Sequence, residues 1–194
     1  ENKLGRLLVE EWKPICDRLD TETFTCSPHA FLGFIRFSVL LYFAAVVLYW
    51  FYPLVSFILI AISFSMVFLE LMRYREFIDF VFPRKLGENI IGTVRPKGEA
   101  TRRVIVSAHM DSAYEFNFIY YLRGFARPVI IIGMVGVFIA LGGSLAKTIA
   151  YFGGFANTTA FMGIGITMIA FTPIIAMFLF FHSYKPVPGA SDDM

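Results

Sequence analysis

Apolar residues in this chain come in long blocks, and three of them, 37–69, 128–146 and 148–181, contain no Asp, Glu, Lys or Arg. Each block can cross the roughly 30 Å of bilayer hydrocarbon at least once as a helix. The first has 33 residues, too many for one span of about 20 to 25. Pro53 supplies a break beside Tyr49, Trp50 and Tyr52, aromatic residues of the kind that favour the membrane interface. The pattern therefore predicts spans over 30–52 and 54–72 joined by a tight turn. A second pair follows over 127–146 and 158–181, around the turn-rich "KTIAYFGGFANT". Four transmembrane helices in two hairpins result.

The remaining segments have other periods. In "LGRLLVEEWKPICDRL", Leu4, Leu7, Leu8, Glu11, Trp12, Ile15 and Leu19 recur at helical spacing until Pro14 disturbs it, which predicts a short amphipathic helix packed on a soluble domain. Between the apolar pairs, "ENIIGTVRPKGEATRRVIVSAH" has two runs rich in Ile and Val around "PKGEA". It predicts a β-hairpin with strands over 89–95 and 103–108. Two strands alone are marginal in water, so the soluble domain is expected to continue beyond Met194. The absence of an initiator Met and of a signal peptide fits a piece of a longer or processed protein.

Composition sharpens the membrane reading, since 57% of residues are hydrophobic and 16% charged. A net charge of +2 gives no reason to expect a nucleic-acid partner. Cys16 and Cys26 are the only cysteines and lack CxxC spacing, so they form neither a disulfide framework nor a zinc site by themselves. Of 17 Lys and Arg, four lie in 1–29, ten in 73–127 and one is Lys185, whereas the hairpin turns hold only Lys147. The positive-inside rule then puts both chain ends and the central soluble segment in the cytoplasm. Arg36 and Glu70 sit close enough to span ends to snorkel. His29 and His182 read as interfacial.

Candidate chemistry concentrates at two places. In "VSAHMDS", His109 and Asp111 are two apart at a predicted strand end, where residues i and i+2 project to one face. An imidazole there can hold a metal while the carboxylate orients it. After the fourth span, Pro186, Pro188 and Gly189 in "KPVPGASDDM" shape a loop that presents Asp192 and Asp193 side by side.

"NIIGTVRPKGE", "RRVIVSAHMDS" and "PGASDD", in that order, resemble the dizinc aminopeptidases, metallopeptidase family twenty-eight of clan MH. The resemblance covers 89–112 and 186–193. It implies that His109 binds one zinc, that Asp111 is the carboxylate that orients His109, and that Asp192 bridges two zinc ions with Asp193 as its neighbour. It also implies a membrane-anchored aminopeptidase that hydrolyses peptide bonds through a hydroxide bridging the two zincs. The implied fold is a partial α/β zinc-peptidase domain, its first β-hairpin only, with four inserted transmembrane helices. In that reading 1–29 is a cytoplasmic amphipathic helix segment, 30–72 the first membrane hairpin, and 73–126 the start of the peptidase domain. Residues 127–181 are then the second membrane hairpin and 182–194 the metal-ligand loop.

The chain departs from the family twice. The Glu-Glu pair, further acid and distant His of the family have no counterpart, so two of five direct ligands and no general base are present. A membrane hairpin also separates the two motifs, but an even number of spans returns the chain to the side it left. The expected partners are a lipid bilayer and a peptide substrate, and the small residues Gly133, Gly136, Gly163 and Gly165 predict close helix packing, within the bundle or across a homodimer. A non-catalytic relative of the fold and a small transporter-like protein are the competing classes.

Overall fold

The computed structural model describes residues 2–109, 114–155, 159–185 and 187, which fall into two compact units. The described residues are mostly helical, with one two-stranded sheet.

The first unit is drawn from Glu1–Pro28, Pro83–Glu115 and Tyr184–Met194. It holds α1 (Asn2–Trp12), β1 (Arg18–Cys26) and β2 (Lys85–Thr93). The expected amphipathic helix is α1, and its last turn closes where the Cys16 N–H donates to the Trp12 carbonyl at 2.8 Å. Ile90 and Gly92, two apart and so on one face of β2, receive it: Gly5 lies against Ile90, and the Trp12 ring and Cys16 sulfur cover Gly92. A side chain at position 92 would meet that sulfur at 2.7 Å, so the close approach of α1 requires glycine there.

The strand pairing differs from the sequence expectation. β2 pairs antiparallel with β1, from Arg18 opposite Thr93 to Cys26 opposite Lys85, and 103–108 is not a strand. The reason is legible in "RLDTETFTC". Thr21, Thr23 and Thr25 alternate with polar or aromatic residues, and β-branched side chains at period two favour a strand. A nine-residue ladder on this partner fills one whole edge of β2, where a hairpin with 103–108 would have offered six residues. Val104, Ile105 and Val106 are left 83%, 82% and 91% exposed.

The second unit comprises the described residues of His29–Phe82 and Phe116–Ser183. Its helices are α2 (Phe34–Leu48), α3 (Pro53–Val67, continued by a π-helical turn to Met72), α4 (Asn117–Leu122), α5 (Ala126–Phe152) and α6 (Thr159–Met177, with a 3₁₀ turn to Phe180). Three helical segments are long and apolar enough to cross a membrane: Pro53–Met72, Asn117–Phe152 and Thr159–Phe180. α2 is equally apolar, but its 15 residues reach only about 22 Å. The shortening has a local cause. Leu32 takes a left-handed φ of 65°, and a side chain at the following Gly33 would strike the His29 carbonyl, so the helix starts at Phe34 rather than near residue 30. At its other end α2 stops before Pro53, which opens α3 at the first helical position, where its missing N–H costs nothing.

Helix packing here uses small residues and buried hydroxyls. The Ser63 hydroxyl donates to the Ser38 carbonyl (3.1 Å) and the Ser56 hydroxyl to Ala45 (2.8 Å), joining α2 to α3. Tyr42 and Tyr49 donate to the Met168 (2.8 Å) and Phe161 (2.9 Å) carbonyls of α6. Each such bond contributes about 0.6 kcal/mol in a membrane, so the set matters more than any member. The Phe171 ring lies over Gly136, the Phe178 ring over Gly133, and Trp50 over Gly165. Three of the four glycines expected to serve close packing are thus used inside the unit, and only Gly163 faces open space.

Charged residues correct the sequence reading further. Lys147 is not in a turn, because α5 continues to Phe152. Its ammonium is buried, donates to the Tyr49 carbonyl at 2.9 Å, and sits 4.2 Å from the Tyr49 ring centre and 5.5 Å from that of Trp50. With its charge satisfied there, nothing forces the helix to end. Glu70 accepts the Phe77 and Ile78 N–H groups, just past the end of its span, at 2.8 and 2.9 Å. The Arg36 guanidinium donates to the His182 carbonyl at 3.4 Å.

His182, just past the last span, is buried within the helical unit. Burial, reinforced by the Arg36 charge, pushes its imidazole below the ordinary histidine value. The unfolded chain takes up a proton near pH 6.5 that the folded chain resists. The stability contributed by neutral His182 is complete above about pH 6.5 and is lost as pH falls through that value toward the lower folded one. The midpoint of thermal unfolding in detergent should therefore fall as pH drops from about 7.5 to 5.5, and His182→Asn should flatten the decline. An identical slope in the variant would assign it to other groups.

Candidate metal-ligand site

The sequence places four residues at the candidate site, and one lies in the described structure. His109 is exposed, in an irregular stretch that follows β2. Asp111, Asp192 and Asp193 lie outside the described residues, as does the rest of the "PGASDD" motif. Among the described residues no three His, Cys, Asp or Glu side chains gather closely enough to hold a metal.

What the structure does describe is the chain on the near side of each motif, all within the first unit. Tyr114 and Glu115 follow the HxD motif, and Tyr184 and Lys185 precede the second. The Glu115 N–H donates to the Lys185 carbonyl at 3.1 Å. The Tyr114 and Tyr184 rings meet edge to face, centres 5.6 Å apart and planes at 87°. This favoured aromatic geometry adds to the hydrogen bond and locks the two strands of chain side by side.

The 68 residues of 116–183 leave and return at one place.

The start of the stretch leading to His109 is also fixed. The Asp17 N–H donates to the Thr93 carbonyl at 2.9 Å, and its carboxylate accepts the Arg95 N–H at 2.6 Å, clamping the chain as it leaves β2. A charge-assisted bond of this kind is stronger than a neutral one. Sequence reasoning missed this residue, and no spacing rule would have paired positions 78 apart.

No family model, no curated protein and no solved structure matches the chain.

The donor types themselves fit a divalent metal. Imidazole and carboxylate are ordinary ligands of zinc, and an HxD pair supplies both a ligand and a carboxylate to orient it.

Proposed function

We propose that this chain is part of a membrane-anchored, zinc-dependent metallopeptidase, most specifically an aminopeptidase acting on peptide substrates. The observation that supports the reading is the Glu115 to Lys185 tie, which joins the chain that follows the HxD motif to the chain that precedes "PGASDD", despite the hairpin between them. Motif order and type add to it.

In this reading His109 and Asp192 hold metal, Asp193 stands beside Asp192, and Asp111 accepts the free ring N–H of His109. That contact fixes the imidazole tautomer and makes it a better donor. Two bound zinc ions would polarise the scissile carbonyl and acidify the attacking water. The exposed Val104, Ile105 and Val106 fit a strand that joins a larger sheet, as an α/β peptidase domain requires, since an apolar run of this size is ordinarily covered.

The membrane part is read as four spans, with α2 crossing beside the three longer helices. Both chain ends and the peptidase segment are placed in the cytoplasm on the Lys and Arg bias. The test is metal content and turnover of the full-length protein in mild detergent. About two zinc ions per chain are expected, with cleavage of an aminoacyl reporter that a chelator stops and zinc restores. Zinc-free protein without turnover would instead favour a non-catalytic relative of the fold. Chelator-resistant turnover would exclude the zinc mechanism.

A further inference from the structure

One surface of the helical unit combines apolar exposure with unopposed positive charge. α4 and the 3₁₀ turn Arg123–Phe125 join the start of α5 in the sequence "NFIYYLRGFAR". This short helix is firmly seated. Phe118 is buried against the Phe178 and Phe181 rings, with centres 4.9 and 5.0 Å away, and its N–H donates to the Phe181 carbonyl at 3.3 Å.

With Phe118 turned inward, its neighbours turn out. Tyr120 is 67%, Tyr121 75% and Phe125 75% exposed, and Arg123 and Arg127 are exposed among them. Aromatic rings that combine an apolar body with a polar tip settle at the headgroup level of a bilayer.

No acidic residue within this stretch of the chain opposes the charge. From 116 to 191 the sequence contains no Asp or Glu. Neither Arg123 nor Arg127 is ion-paired among the described residues. α6, packed on α5, carries no charge at all, and Glu70 beyond α3 is committed to the Phe77 and Ile78 backbone.

The backbone at Arg123 is also unusual. It holds a left-handed φ of 47°, a costly conformation for a residue with a side chain, and this turns the chain between α4 and α5. The strained bend keeps α4 from simply prolonging the α5 span. It also sets Arg123 in the turn that leads into α5, four positions before Arg127 in the first turn of that helix.

From these observations we propose that Arg123 and Arg127, framed by Tyr120, Tyr121 and Phe125, form a binding surface for the phosphate headgroup of an anionic phospholipid. The occupant is a lipid and not a soluble anion because the cations are ringed by exposed aromatics at the head of an apolar helix, where acyl chains pack. The guanidinium forks match phosphate oxygens bidentately, and the tyrosine hydroxyls can donate to the same group. The proposal concerns the membrane face alone and stands whether or not the peptidase reading holds.

The experiment titrates the full-length protein, in a neutral detergent, with phosphatidylglycerol or phosphatidylcholine and counts bound lipid by native mass spectrometry. Native protein should retain phosphatidylglycerol preferentially, and less so at high salt. R123Q combined with R127Q should weaken that binding by about fivefold per arginine, while R103Q, in the other unit, should leave it unchanged. Equal retention of both lipids by native protein would overturn the proposal, and this arm holds even if the double variant does not fold. Undiminished phosphatidylglycerol binding by a folded double variant would overturn it too. Complete displacement of the lipid by millimolar inorganic phosphate would mark a small-anion site instead.

Discussion

Replacing His109 by Ala, or Asp192 by Asn, in the full-length protein is expected to remove bound zinc and peptidase turnover together. The imidazole supplies a lone pair that alanine lacks. The asparagine keeps the size of the carboxylate but loses the charge that two adjacent cations require. Asp111→Asn should be milder, a fall of about 10- to 100-fold in metal affinity or activity, because that carboxylate acts through His109. The order matters more than any value: both direct ligands should cost more than their support. Elemental analysis and reporter turnover on the same samples check it, with circular dichroism to verify that helix content is kept. Full activity in Asp192→Asn would sink the assignment.

A second large effect is expected in the bilayer part. Lys147→Met removes a buried cation that donates to the Tyr49 carbonyl and lies over the Tyr49 and Trp50 rings. Hydrogen bonds to a charged group contribute about 1.5 to 3 kcal/mol, and a desolvated cation over an aromatic ring up to about 2 kcal/mol. Relief of the burial cost offsets part of this, so the net loss should be about 2 kcal/mol. Tyr49 lies at the C-terminal end of α2, where backbone carbonyls concentrate negative charge, and the methionine leaves that end uncompensated. Unfolding in mixed detergent should shift to lower denaturant. Emission from Trp50, one of only two tryptophans, should change with it. A variant as stable as the native protein would show that the cation merely tolerates its place.

Both effects rest on features of unequal visibility in the sequence. The uncharged runs and Pro53 are visible because bilayer thickness demands long apolar segments and proline must open a helix rather than interrupt it. α1 is visible because its period is local. β1 was missed, since 1–29 read as a helix segment; the alternating threonines of "TETFTC" permit a strand, but only a tertiary contact decides between that stretch and 103–108 as the partner of β2. The same holds for Lys147. A lone lysine between apolar runs reads as the end of a helix until a carbonyl and two rings, about 98 positions back, are known to receive it. At the candidate site the residue types and their order were legible, whereas the tie between Glu115 and Lys185 depends on how a hairpin closes. No local pattern encodes that distance.

The tie also bears on how such a chain can be built. A segment whose two ends are held 3.1 Å apart by one hydrogen bond is, to the rest of the chain, a detour of zero net length. Loop-closure entropy grows only with the logarithm of length, each doubling costing about 0.6 kcal/mol, so a detour of dozens of residues burdens closure little more than a short turn. Residues 116–183 could thus be exchanged for a few glycines without altering where Glu115 and Lys185 meet. An apolar helical segment of this kind is a graft that the chain on either side of it need not register.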